Sequence, residues 1–317
     1  MTPYLLGYDL GATRLKCAVL DTDYHVLETF FCTPEDGKNT REMGREDWKV
    51  LMRSCLDKTI TKYKAEPLAF GISSPGIPLL DHSAIRNMPG RLTEIQGLNW
   101  SDLLEYPHPI YVVNDGKAAF IAELQDPWLK TVQNVLMLTL GTGVGGAIKA
   151  DGVLLEGKGG RAGHLGSMSL DVDGPLALTG VPGGLDNLVG NVQLEERTNG
   201  LYKDYIALER DYVANKTVAV EYWLKMVKHL AIGIVSLINI LDPEVIIIGG
   251  GLANAGENLL APLRDYLDIY EWRPYGEGVK IIRAKGGDFS GAIGTAIFGD
   301  LWSKKVATGD SSGALRL

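Results

Sequence analysis

The segment L-M-L-T-L-G-T-G-V-G-G-A-I, from Leu136 to Ile148, sets the reading of this chain. Its apolar start predicts a buried strand, Gly141-Thr142-Gly143 and Gly145-Gly146 predict a tight turn, and a second apolar run follows. Without a Cβ, such a turn bends sharply and lets the backbone come close to a ligand. Its successive N–H groups form a concavity that attracts anions, phosphate oxygens above all. A glycine-rich hairpin with no ligand fits the same pattern, so the segment by itself leaves both readings open.

A second segment has the same design. From Leu5 to Leu20, L-L-G-Y-D-L-G-A-T-R-L-K-C-A-V-L, a strand carries Asp9, turns at Gly11-Ala12-Thr13 and resumes after Lys16. An acid at the end of a buried strand, just before a small-residue turn, suits a magnesium ion or its water. The turn's N–H groups and the Thr13 hydroxyl suit phosphate oxygens. Two such loops predict two related half-domains that face one nucleotide.

Composition bounds the alternatives. A chain of 317 residues is long for one core, so two domains are expected. Apolar residues at 45% and charged residues at 22% match an ordinary globular protein. A net charge of −8 argues against a nucleic-acid partner bound through a basic face. Cys17, Cys32 and Cys55 are odd in number and form no C-x-x-C pair, so they are expected to be buried, reduced thiols of a cytoplasmic protein. The start of the chain lacks a basic n-region, and Asp9 interrupts its apolar run, unlike a signal peptide. The longest apolar stretch, Leu230–Leu241, falls short of a bilayer's thickness, so no membrane partner is expected.

In chain order, Leu5–Asp9, Lys16–Leu20 and His25–Phe31 predict a three-strand meander, and the apolar stripe within Arg41–Lys64 predicts a helix. Leu68–Ile72 predicts a strand opening into Ser73-Ser74-Pro75-Gly76-Ile77-Pro78, where two prolines argue for irregular structure. A long segment with Asn87-Met88-Pro89-Gly90 follows. Ile110–Val113 predicts a strand that delivers Asn114-Asp115 to the start of a helix over Gly116–Leu124. That pair can serve as a plain N-cap, or as a general base (Asp115) beside a residue that holds a hydroxyl (Asn114). Gly157–Ser167, which contains His164, and Val181–Gly190, which contains Asp186, are polar, glycine-rich candidates for a substrate loop. Val218–Leu241 predicts a buried helix, and Val245–Ile248 a strand ending in Gly249-Gly250-Gly251 before a further helix. Those glycines permit close approach by a flat ligand such as an adenine ring.

Together these residues resemble a known family. D-L-G-A-T-R-L-K at 9–16, L-G-T-G-V-G-G-A-I at 140–148 and L-D-P-E-V-I-I-I-G-G-G-L at 241–252 are similar to the ROK sugar kinases, within the actin-like ATPase fold. N-D-G-K-A-A at 114–119 resembles the family's N-D-A-N-A-A, and G-G-R-A-G-H-L-G-S-M at 159–168 its sugar loop. G-D-F-S-G-A-I-G-T-A at 287–296 also matches. The resemblance implies an α/β fold of duplicated ribonuclease H-like design, mixed sheets flanked by helices with a cleft between two lobes. Their expected extents are 1–115 plus 290–317 for the small lobe and 116–289 for the large one.

The activity it implies is transfer of phosphate from ATP, with magnesium, to a hydroxyl of a hexose or amino-hexose. Asp115 would be the general base. Gly76, Asn87, Asn114, His164 and Asp186 would contact the sugar. Asp9, Gly11, Thr13, Lys16, Gly141, Thr142, Gly143, Gly249, Gly250 and Gly251 would serve the nucleotide, with Asp9 near the metal through water. A homodimer is the expected assembly. The repressor branch of the family carries an N-terminal helix-turn-helix, for which a phosphate loop at residue 9 leaves no room.

The departures bear on specificity. The family's structural zinc uses a histidine and three cysteines, which fall on Ser167, Ala177, Thr179 and Gly184 here, so no zinc is expected. The family's sugar-binding glutamates become His164 and Asp186. A carboxylate accepts from two vicinal hydroxyls whereas a neutral imidazole accepts one bond, so the sugar contacts are rearranged. His164 is either a sugar contact or a polar residue that fills the altered loop. A sugar-binding regulator on a kinase fold, with little or no transfer activity, is the alternative function.

Overall fold

In this computed structural model the described residues are 3–11, 14–34, 43–88, 93–177, 179–310 and 314–317. The chain divides into two compact units. The first holds residues 1–131, 156–161 and 285–317, and the second holds 132–155 and 162–284.

The first unit is built on a sheet of β1 (Leu5–Leu10), β2 (Leu15–Leu20), β3 (Val26–Cys32), β4 (Ala69–Ser74) and β7 (Ile110–Asn114), in the order β3-β2-β1-β4-β7. β1 to β3 form the expected antiparallel meander, and β4 and β7 run parallel to β1. A short pair, β5 (Ile77–Pro78) and β6 (Ile85–Asn87), stands apart from it. Pro78 therefore lies in a two-residue strand rather than in irregular chain, a place where its missing N–H costs little.

Alternation along β1 sends Leu6, Tyr8 and Leu10 to one face, where they meet α1 (Arg45–Tyr63) through Trp48, Met52 and Leu56. The expected helix began at Arg41, but residues 35–42 are outside the described set. α2 (Trp100–Leu103) closes this core with Trp100 and Leu103. On the opposite face α3 (Asp115–Glu123) and α10 (Ser290–Ala307) pack together, with α4 (Pro127–Thr131) following α3. α10 lies directly on the sheet because Gly7 and Gly71 present no side chain to it. A Cβ at Gly7 would stand 2.0 Å from the Ala292 carbonyl oxygen, and one at Gly71 2.1 Å from that of Thr295.

The second unit repeats the plan. β8 (Val135–Leu140), β9 (Val144–Ala150) and β10 (Val153–Leu154) are antiparallel, while β11 (Val245–Gly249) and β12 (Lys280–Arg283) run parallel to β8. Their order, β12-β11-β8-β9-β10, matches that of the first unit strand for strand. The core is α8 (Thr217–Leu241) against the sheet and α9 (Glu257–Tyr270), with α5 (Leu185–Val189), α6 (Leu194–Arg197) and α7 (Tyr205–Val213) completing it. α8 begins one residue before the expected Val218 and ends at the expected Leu241. At 25 residues, with a mean hydropathy of 1.6 over its most apolar window, it meets the length and composition of a membrane span. Trp223, Met226, Leu230, Ile234 and Leu237 are nonetheless buried in this unit's core. Asp242, in the left-handed region at φ 43°, ends the helix before Pro243.

Two expectations need correction. The lobe boundary at 115/116 would cut α3 from the sheet that leads into it. α3 instead belongs to the first unit, where Gly294 of α10 brings the two helices into backbone contact. The cysteines are not all reduced: Cys32 and Cys55 form a disulfide that ties β3 to α1. Cys17 is the free thiol, buried, with its Sγ 3.5 Å from that of Cys32. Sequence spacing could not show that β2, β3 and α1 bring the three sulfurs together.

Candidate active site

In the first unit the C-terminal ends of three parallel strands assemble the polar residues. Asp9 of β1 pairs in register with Ser73 of β4, and Ser74 with Asn114 of β7. The Ser73 hydroxyl donates to Asp9 Oδ1, and Lys16 Nζ stands 3.8 Å from Asp9 Oδ2. Gly291 in the first turn of α10 faces the same carboxyl, so close that a Cβ there would lie 2.7 Å from Asp9 Cγ. Burial pushes the Asp9 carboxyl above the usual range. Ser73 and Lys16 pull it back, and the negative charge of Asp115 raises it again. A desolvated carboxylate of this kind suits a divalent cation or its water. Gly11 N–H donates to the Asp9 carbonyl at 3.0 Å. Ala12 and Thr13 lie outside the described residues.

Asn114 does the capping that its position allowed. Its Oδ1 accepts the N–H groups of Gly116 at 3.0 Å and Lys117 at 3.4 Å. Its Nδ2 donates to the Gly76 carbonyl at 3.0 Å, so much of the side chain is committed to structure. Asp115, the next residue, is exposed at the helix start, and its Oδ1 accepts its neighbour's Gly116 N–H at 2.9 Å. Gly76 adopts a positive φ of 97°, and a Cβ there would sit 2.5 Å from the Asn87 carbonyl oxygen. Gly76, Asn87 and Asn114 are thus gathered in one place, with Asp115 next in the chain.

In the second unit the Gly141–Gly143 turn joins β8 to β9 as expected. Its carbonyls at Gly141 and Thr142 accept the N–H groups of Asn191 and Val192, each at 2.9 Å. Oxygens that would repel a phosphate are therefore held by the protein. Asp186, near the start of α5, accepts the Val144 N–H. A Cβ at Gly143 would approach Asp186 Oδ1 to 2.6 Å, and one at Gly166 would meet the same carboxylate. One acid thus pins the glycine turn to the loop that bears His164. Burial raises the Asp186 carboxyl, and the Val144 N–H and His164 oppose that shift.

His164 is half-buried and opens a short 3-10 turn, Leu165–Ser167. Ser167 and Thr179 place their hydroxyls 3.5 Å apart, and a Cβ at Gly184 would lie 3.5 Å from that of Ala177. Ser167, Thr179, Ala177 and Gly184 thus contribute a hydroxyl pair and two small residues here.

The glycines after β11 divide by role. A Cβ at Gly250, whose φ is 83°, would come within 2.3 Å of the Leu140 carbonyl, and one at Gly249 would strike Met137. A Cβ at Gly251 or Gly141 would meet nothing within 4 Å. The first two are needed for packing, and the latter two leave open space. Gly251 starts a 3-10 turn over Gly251–Ala255, and only then does α9 begin. Ser73 and the buried pair Lys117–Glu156 were not anticipated. Ser73 sits in the S-S-P-G run, where the prolines argue for irregular structure and carry no signal of pairing, and nothing in spacing joins residue 117 to 156.

A family model described as ROK family matches residues 5–301. A glucokinase of Halalkalibacterium halodurans is 26% identical over 319 residues, covering 92% of this chain and 93% of its own length. An N-acetyl-D-glucosamine kinase of Yersinia pseudotuberculosis is 27% identical over 312 residues, covering 92% and 97%. Among solved structures, the ROK hexokinase from Thermus thermophilus matches with a TM-score of 0.78 at 27% identity, over 95% of this chain and 99% of that one. The doubled strand order described above is the actin-like ATPase fold that such kinases share. With the family model spanning nearly all of the sequence, the chain belongs to the ROK family.

Proposed function

We propose that this protein is an ATP-dependent sugar kinase, acting on a hydroxyl of a hexose or amino-hexose. The observation that carries the reading is Asp115: an exposed carboxylate at the end of β7, within electrostatic reach of Asp9 and beside the gathered Gly76, Asn87 and Asn114. Sugar-kinase relatives across nine-tenths of the chain support it.

In this reading Asp115 takes the proton from the sugar hydroxyl as its oxygen attacks the γ-phosphorus. The bond from that phosphorus to the β–γ bridging oxygen breaks, and ADP leaves with the electron pair. General-base assistance of this type contributes about 10²–10⁴ in rate. Asp9 would hold a magnesium ion through water, and that ion would neutralise phosphate charge. In the first unit Lys16 serves the phosphates, and Gly76, Asn87 and Asn114 the sugar. In the second unit the Gly141–Gly143 turn serves the phosphates, Gly251 leaves space for the nucleoside, and His164 serves the sugar, with Asp186 packed against its loop.

The alternative, a sugar-binding regulator with little transfer activity, draws on the altered sugar loop, where His164 and Asp186 replace glutamates and Asp186 is engaged by the Val144 N–H. A coupled ADP-release assay over hexoses and amino-sugars, with Asp115→Asn as control, separates the two. Activity that Asp115→Asn abolishes supports the kinase. Failure of every sugar, together with a sugar-dependent rise in melting temperature, supports the regulator.

A further inference from the structure

Residues 156–161 belong to the first unit although the chain on either side belongs to the second. What holds this excursion is a buried ion pair. Lys117 Nζ lies 2.6 Å from Glu156 Oε2, with the two side chains 1% and 9% exposed. The same ammonium stands 3.5 Å from the Gly160 carbonyl, so a single cation gathers both ends of the segment. Gly160 in turn packs on the strand pair that follows Gly76, where an added Cβ would sit 3.0 Å from Ile77 Cγ2 and 3.4 Å from the Pro78 carbonyl. His82 also faces the pair. Its ring is buried between Phe298 and Trp302 and hydrogen-bonds the Val112 carbonyl at 2.7 Å. Burial pushes that imidazole below its usual range while Glu156 draws it up, and the direct ion-pair partner of Glu156 is Lys117.

Stability does not account for such a pair, because two desolvated charges do no better than apolar side chains of the same volume. Direction does. Gly157 and Gly160 have positive φ, and a glycine-rich segment has many conformations open to it. An apolar contact would fill the space without selecting one of them. Lys117 is two residues beyond Asp115, and its own N–H is capped by Asn114. The loop is thereby registered to the helix turn that carries the base.

Resting on the kinase reading, we propose that Lys117 and Glu156 are positioning residues that fix the Glu156–Arg161 segment against the acceptor side of the site. They set how tightly the sugar is held without touching the nucleotide. The pair acts through Asn114, Gly76 and the loop backbone, and takes no part in bond making.

The test compares the wild-type chain with Lys117→Met/Glu156→Leu, an apolar pair that avoids a lone buried charge. A second variant, Glu156→Asp, keeps both charges but withdraws the carboxylate by one methylene. Two readouts are taken: hydrogen exchange of the 157–161 amides, and kcat with KM for sugar and for ATP. The expected result is about tenfold or faster exchange in that segment in both variants. Sugar KM should rise about tenfold while ATP KM stays unchanged, and the double variant should melt near the wild-type temperature. Wild-type exchange in 157–161, or faster exchange with unaltered sugar KM, overturns the proposal. If the wild-type chain phosphorylates no sugar, the kinase reading fails; exchange and sugar-dependent melting of the same variants then still decide whether the pair holds the loop.

Discussion

The contact between α3 and α10 makes a sharp demand on one residue. An alanine at Gly294 would place its Cβ 1.7 Å from the Ala118 carbonyl oxygen and 3.1 Å from the Ala122 nitrogen. Both are backbone atoms of a helix, so no rotamer change relieves the clash. Real Cβ atoms keep at least 3.0 Å from such neighbours, so the helices must part by about 1.3 Å. Alanine's better helix propensity returns about 1 kcal/mol. Against this, overpacking costs about 1–3 kcal/mol and sometimes more, and a gap of about 1 Å forfeits a quarter to a half of the dispersion energy across the interface. The net expectation is a loss of about 2 kcal/mol or more, a large share of a typical stability of about 5–15 kcal/mol. Urea unfolding reads it as a lower midpoint with unchanged slope. Gly287→Ala, where a Cβ meets nothing within 4 Å, is the matched control and should stay within about 0.5 kcal/mol of wild type. Because α3 begins at Asp115 and α10 begins beside Asp9, the same displacement should cut turnover by about 10²-fold. A Gly294→Ala protein as stable as its parent refutes the packing argument.

Four further outcomes are expected. Asp115→Asn should lower kcat by about 10²–10⁴ and leave the melting temperature unchanged, since the side chain is exposed. Burial raises the Asp9 carboxyl, so the folded state keeps that proton to higher pH than the unfolded chain does. Its contribution to stability therefore falls as pH rises from about 4 through the folded value, and Asp9→Asn should gain on wild type over that window in urea midpoints while losing activity; parallel profiles would contradict the burial of this acid. Asp186→Ala strips the Val144 N–H of its acceptor and should cost about 1–3 kcal/mol, whereas Asp186→Asn should keep stability and alter sugar KM, as denaturation and steady-state kinetics would show. Thiol titration of the denatured chain should find one free cysteine without reductant and three after reduction; three at the outset would exclude the Cys32–Cys55 bond.

Much of this architecture is legible before any coordinates, because the two glycine turns, the alternating strands and the α8 stripe are local patterns. Asp9 at a strand end and Asp115 at a helix start follow from the same periodicities. What is not legible is pairing across distance. The Ser73–Asp9 bond depends on β4 lying beside β1, and the clamp from Asp186 to Val144 depends on a loop returning over β9. Membership of α3 in the first unit is of this kind too, since it depends on packing against α10, which lies far along the chain. Lys117 and Glu156 are the extreme case: neither motif nor charge pattern links them, and only the fold reveals that each answers the other.

The order in which the two units occur along the chain has a consequence for synthesis. α10 completes a core begun at β1, yet it emerges after the whole of residues 132–284. At roughly 5–20 residues per second, a ribosome needs on the order of 10–30 s to cover that interval. Throughout it the sheet face at Gly7 and Gly71 waits bare in the nascent polypeptide, while the later unit can already fold. The order of segments thus leaves that face open to misassembly until α10 emerges, and chaperone demand should be highest before residues 290–307 leave the exit tunnel.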